Sequence, residues 1–175
     1  EEAERVELYG GEKPIYKEFY ELKEKPFNLT PDPRFFYLSS GHREALEHLA
    51  YGITNKEGFI LIAGEIGAGK TTLCRVLLER LDQNFKTAVI FNSLLTEDEL
   101  LASILQDFGF ASKGGSRKKQ IYLFNKNLIH LLSLGKNGVL IIDEAQNLSI
   151  PTLEQIRMLS NLETENEKLL QIVFI

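Results

Sequence analysis

Eight residues, Gly64-Glu-Ile-Gly67-Ala-Gly69-Lys70-Thr71, constrain this chain more than any other stretch. They follow the short apolar run Phe59–Ala63, which reads as a buried strand. They precede a helix-periodic segment, Thr71–Leu81, with Leu73, Val76, Leu77 and Leu81 facing inward. The glycines let the backbone curl where strand gives way to helix. Successive N–H groups, about Ile66 to Lys70, then point into one concavity, and the helix adds the positive end of its dipole. Such a cradle binds phosphate. Lys70 would reach the β- and γ-phosphates as a point charge, and Thr71 would offer a hydroxyl to Mg²⁺. The candidate contacts are Gly64, Glu65, Ile66, Gly67, Ala68, Gly69, Lys70, Thr71 and Thr72. A glycine-rich turn that matches by chance is the competing explanation. The strand before the loop and the helix after it favour the phosphate cradle.

The same alternation runs through most of the chain. Leu46, Leu49, Ala50 and Ile53 recur at helical spacing, with Ser40 or Gly41 placed to cap the start. Thr87–Phe91 reads as a second strand. Thr96 and Glu99 form a T-x-x-E capping box ahead of Leu100, Ile104, Leu105 and Phe108. A long helix follows, with Ile121, Phe124, Leu128, Leu131 and Leu132 on one stripe. Val139–Ile142 is a third strand. Pro151 opens a helix carrying Leu153, Ile156 and Leu159 inward, and Leu170–Ile175 is a fourth strand. Strands apolar on both faces that alternate with helices predict a parallel sheet covered on both sides. Right-handed crossovers then gather the strands' carboxyl ends along one edge.

Val139-Leu-Ile-Ile142-Asp143-Glu144 delivers two carboxylates to that edge. A buried strand seldom ends in adjacent acids unless a cation or a proton transfer awaits them. Asp143 is placed to hold Mg²⁺, through a water. Glu144, pointing the other way along extended backbone, can take a proton from an attacking water. Asn92 closes the second strand at the same edge. Its amide could hydrogen-bond Glu144 and hold it off the water, or it could simply cap the strand and start a turn. The candidate catalytic set is Glu144, Lys70 and Asn92, and the candidate metal ligands are Thr71 and Asp143.

Composition excludes several classes. A net charge of −5 argues against a surface that generally coats nucleic acid, although a local basic patch is compatible with it. The single cysteine, Cys74, excludes an internal disulfide and a multi-cysteine zinc site, and suits a reducing cytoplasm. No apolar run approaches the roughly 18–20 residues of a membrane span. Residues Glu1–Lys13, rich in charge and glycine, read as an exposed arm. The chain stops inside the apolar run Gln171–Ile175, which gives the expectation of a core that continues further.

Other residues carry weaker signals. Lys113, Arg117, Lys118 and Lys119 could meet DNA phosphates or acidic lipid. Without interleaved aromatics, a solvated loop ahead of a helix is the preferred reading. His42, His48 and His130 share no metal-ligand spacing and read as helix-surface residues. Arg157 reads as a partner in a surface salt bridge. Asn55-Lys56-Glu57-Gly58 and Asn125-Lys126-Asn127-Leu128 both lack the aspartate that reads guanine, which disfavours a GTPase.

Together these residues resemble the AAA+ superfamily of ATPases, and within it the bacterial general secretion pathway protein A (ExeA-type) group. The resemblance runs from Tyr16 almost to the end. It includes Phe19–Pro33, Tyr37–Leu46, Gly64–Thr72, Leu140-Ile-Ile-Asp-Glu-Ala-Gln-Asn-Leu148 and Leu159–Thr164. It implies a three-layer αβα P-loop NTPase (AAA+/RecA-like) with a mostly parallel sheet, from which the last strand and helical lid are missing. It also implies residues 1–15 as a flexible extension and 16–175 as an incomplete ATPase core. The implied cofactors are ATP and Mg²⁺. Adenine contacts in such proteins come partly from the segment before the first helix, here Phe27–Tyr37. The polar sensor and arginine finger would lie beyond Ile175, so slow hydrolysis is expected. Further implications are a homo-oligomer (ring or dimer), a secretion-machinery partner, and a cytoplasmic location that is inner-membrane-associated in longer relatives. Two rivals share the phosphate loop. A DNA-dependent regulator of transposition would bind nucleic acid under ATP control. A small-molecule kinase has less need of Asp143 and Glu144.

Overall fold

The computed structural model describes residues 15–24, 33–81, 83–91, 94–110, 115–165 and 167–175. These fall into two compact units that part between Phe36 and Tyr37. In the first, a five-residue helix, α1 (Ile15–Phe19), leads into a turn, and a 3-10 turn covers Pro33–Phe35. Arg34 donates from both terminal nitrogens to the two carboxylate oxygens of Glu24, at 3.3 and 3.1 Å.

The second unit alternates helix and strand. Its order is α2 (Ser40–Thr54), β1 (Phe59–Leu61), α3 (Lys70–Arg80), β2 (Phe85–Ile90), α4 (Glu97–Asp107) and α5 (Arg117–Ser133). Then come β3 (Asn137–Ile142), α6 (Ile150–Ser160) and β4 (Leu170–Phe174). The strands form one sheet in the order β1-β4-β3-β2, with every pairing parallel. This is the expected αβα arrangement, and β3 shows why. Val139, Leu140, Ile141 and Ile142 are all inaccessible to water, as only a strand covered on both faces can be. Each such side chain contributes about 1.5–3 kcal/mol relative to exposure.

The register divides the core in two. Ala88, Leu140 and Ile172 stand side by side across β2, β3 and β4. Together with Ile142 and Leu170 they pack against Leu100, Ile104 and Leu105 of α4, Phe124 and Leu128 of α5, and Ile156 and Leu159 of α6. The intervening residues Val139, Ile141, Gln171 and Val173 turn to the opposite face. The buried residues of α2 and α3 lie outside the first cluster. Helix α2 approaches β1 through Gly52, where an added Cβ would stand 2.9 Å from Ile60 Cδ1.

Hydroxyl caps set four helix starts. Ser39, Thr96, Ser116 and Ser149 accept from backbone N–H groups in the first turns of α2, α4, α5 and α6. Thr96 and Glu99 make the full capping box read from sequence. The cap of α2 is Ser39, just ahead of the expected Ser40 or Gly41.

Three expectations about burial need correction. Strand β1 is an edge strand, and Phe59 and Leu61 are 47% and 70% exposed, so it is not the strand buried on both faces that its composition implied. Leu153 is 40% exposed, because α6 rests on Thr152, Gln155, Ile156 and Leu159 instead. Ala50 faces out, and Gly52 takes the inward place beside Ile53.

Candidate nucleotide site

The carboxyl edge of the sheet gathers the residues singled out from sequence. Strand β1 ends at Leu61, and Ile62 N–H still donates to Phe174 O at 2.9 Å, which holds the chain against β4 up to the loop. The loop then turns through two left-handed glycines, Gly67 (φ +80°) and Gly69 (φ +83°), and Gly69 is the cap of α3. An L side chain at either position would cost about 1–2 kcal/mol. Lys70 folds back over the loop, donating from Nζ to Gly64 O at 2.9 Å and to Glu65 O at 3.1 Å. Ile66, at the tip, is fully exposed.

Opposite the loop, the turn after β3 is pinned from both sides. Asp143 N–H donates to Ile90 O at the end of β2, at 2.9 Å. Ala145 N–H donates to Ile175 O just past β4, at 2.8 Å. Asp143 is 7% exposed and uses both carboxylate oxygens. Oδ1 accepts Glu144 N–H at 3.0 Å, and Oδ2 accepts the Thr71 hydroxyl at 2.8 Å.

Glu144 departs from the sequence reading. It is not on extended backbone but left-handed, at φ 53° and ψ 43°, ahead of a 3-10 turn over Ala145–Asn147. The twist turns its side chain out, and the residue is exposed. A non-glycine residue held in that region costs of order 1 kcal/mol, and such cost concentrates at functional positions. Gln146 Nε2 donates to Glu144 Oε2 at 2.5 Å.

A cleft of about 730 Å³ brings these parts together. Gly64, Ile66, Gly67, Gly69, Lys70, Thr71 and Thr72 line one side and Glu144 and Gln146 another, with Leu61, Leu153 and Phe174 adding apolar wall. Glu65 and Ala68 belong to the loop without lining the cleft, and Asp143 lies beneath it, bonded to Thr71. Asn92 and residues 27–32 lie outside the described residues. Cys74, on α3, is buried as expected. Burial pushes its thiol up to about 12, and the charge of Asp143 adds to the effect.

Two residues near the site were not selected from sequence. Gln146 follows the acidic pair at a spacing that suggested no role. His42, expected on the helix surface, reaches the loop with its ring, Nε2 standing 2.8 Å from Ala68 O. No local pattern joins residues 26 apart in the chain.

Residues 53–175 match the family described as AAA domain. The chain belongs to that family. It is 44% identical over 162 residues to General secretion pathway protein A of Aeromonas hydrophila, a match covering 92% of this chain and 30% of that relative. The AAA domain is also similar to two solved structures. One is Cdc6p from Pyrobaculum aerophilum, with TM-score 0.55, 19% identity, and 79% of this chain against 40% of that one. The other is the Aeropyrum pernix ORC2 protein in ADPNP–ADP complexes, with TM-score 0.56, 14% identity, and 85% against 43%. At those identities the likeness concerns the fold. The chain therefore spans less than half the length of each of these proteins.

Proposed function

We propose that this AAA domain binds Mg·ATP in the cleft between the 64–72 loop and Glu144, and hydrolyses it as part of a larger assembly protein. The observation that supports this most is the convergence of a glycine-turned phosphate loop and an outward carboxylate on one cleft. Backbone N–H groups before Lys70 would hold the β- and γ-phosphates, with Lys70 exchanging its two loop carbonyls for phosphate oxygens.

The Thr71–Asp143 pair fits Mg²⁺. Both offer hard oxygen atoms, and Mg²⁺ takes few protein ligands beside waters and phosphates. Among the described residues no cluster of three His, Cys, Asp or Glu side chains stands together. When bound, the ion would neutralise charge on the phosphate oxygens. Glu144 would accept the proton of the attacking water, with Gln146 holding its carboxylate in the cleft.

The role in a secretion system is proposed on the relative's name; a homo-oligomeric state and a cytoplasmic, membrane-associated place are proposed on the family resemblance read from the sequence. No helix among the described residues is long and apolar enough to cross a membrane. We place the start of the ATPase core at residue 16, where the sequence resemblance begins. The DNA-regulator alternative is not favoured, since the relative 44% identical over most of this chain is named for secretion; within the basic segment, Arg117 is paired with Glu97.

Single-turnover hydrolysis tests the proposal. With protein in excess over radiolabelled ATP, the wild-type chain is expected to form ADP slowly. Glu144→Gln should retain Mg·ATP binding and be slower by about 10²-fold or more. Equal rates for Glu144→Gln and wild type would remove Glu144 from its role.

A further inference from the structure

A loop whose amides are to meet a phosphate has to turn its carbonyls the other way, and these need donors. Three such carbonyls have visible partners. Gly64 O and Glu65 O accept from Lys70 Nζ, and Glu65 O also accepts Ala68 N–H at 3.2 Å. Ala68 O, between the two left-handed glycines, accepts from His42. The lysine bonds are provisional if Lys70 turns to phosphate. The histidine bond is independent of Lys70.

His42 is itself held. Ala68 O can only accept, so Nε2 carries the hydrogen. In the neutral ring Nδ1 is then an acceptor, facing Ser39 Oγ at 2.8 Å. The Ser39 hydroxyl donates to Nδ1 and accepts His42 N–H at 3.3 Å. One serine thus caps α2 and orients the ring that reaches the loop. The start of α3 has no comparable device, because its cap is Gly69, with no side-chain cap bond.

We propose that His42 is a positioning residue for the phosphate loop, tying the first turn of α2 to Ala68 O so that the loop amides keep their inward aim before nucleotide arrives. The inference deepens the Mg·ATP reading and rests on it for its effect on affinity; its effect on the empty loop is independent of that reading.

Three substitutions separate the bonds. His42→Gln places an amide N–H near the position of Nε2. His42→Asn reaches only as far as Nδ1, and His42→Phe keeps the ring without either bond. Hydrogen exchange of the nucleotide-free chain is read at the amides of residues 66–71, and Kd is read with a fluorescent ATP analogue and Mg²⁺. In the Phe and Asn variants the loop amides should exchange faster and Kd should rise by about 2- to 13-fold, the worth of one net hydrogen bond. His42→Gln should restore both to within about twofold, and exchange in α4 and β3 should not change. If the Phe variant fails to fold, the Gln–Asn pair makes the same comparison. Identical loop exchange in the Gln and Asn variants overturns the proposal. If wild type fails to bind the analogue while loop exchange still follows the Ala68 bond, the ATP reading falls and the positioning role stands.

Discussion

The Thr71 hydroxyl donates to Asp143 Oδ2 across 2.8 Å, joining the first turn of α3 to the end of β3, 72 residues away in the chain. The loop and the acidic turn are therefore held as one unit, through a pair of oxygen ligands suited to a small hard cation. Asp143 is further fixed by Ile90 O and by the Glu144 N–H, so its carboxylate has little freedom to move.

This pair gives a first test. Asp143→Asn keeps a side-chain oxygen for the Thr71 hydroxyl but removes the charge. Binding of ATP in EDTA should be nearly unchanged, while the gain in affinity on adding Mg²⁺ shrinks by about tenfold or more. Titrations of wild type and variant with and without Mg²⁺ measure it. An unchanged Mg²⁺ gain would take Asp143 out of the metal site.

The left-handed backbone of Glu144 gives a second. Glu144→Gly removes the Cβ that makes φ 53° costly, so the variant should unfold no earlier than wild type, with a gain of up to about 1 kcal/mol. Hydrolysis should be lost with the carboxylate. Chemical denaturation and single-turnover assays read the two effects. A clearly less stable variant would show that the twist carries no strain.

Cys74 gives a third. As pH rises, an unfolded thiol ionises near its ordinary value of 9.0, whereas burial and the nearby Asp143 charge hold the folded thiol up to about 12. The folded state therefore keeps its proton longer. The stability this contributes is full below pH 9 and is lost progressively as pH rises toward 12. At pH 9 only about one folded thiol in a thousand is thiolate, so alkylation should be at least about 100-fold slower than in urea. Iodoacetamide labelling followed by mass spectrometry checks it. Equal rates would mean that Cys74 is accessible in the native chain.

What the sequence disclosed depended on how local each signal is. Gly64–Thr71 and Asp143–Glu144 were legible because their chemistry lies in consecutive residues, and the Thr96–Glu99 capping box because its partners are three apart. Parallel pairing followed from the fully apolar run Val139–Ile142. The edge position of β1 was not legible: Phe59–Leu61 is apolar enough for a buried strand, and only its place in the sheet order leaves it exposed. Leu153 failed similarly, since its helical spacing suits the core while the seat of α6 puts Thr152 and Gln155 inside. The turn at Glu144 was hidden because a side chain that tolerates extended backbone gives no sign of a left-handed one. His42 and Gln146 were missed for want of any pattern linking them to the loop or the acid.

The most direct measurement is hydrogen exchange of the chain with and without Mg·ATP, read amide by amide. Protection should appear at residues 66–71, weaken when EDTA replaces Mg²⁺, and vanish in Lys70→Ala, because those amides are the proposed phosphate ligands. Protection confined to other segments, or undiminished in Lys70→Ala, would contradict a triphosphate cradled between this loop and the Asp143–Glu144 turn.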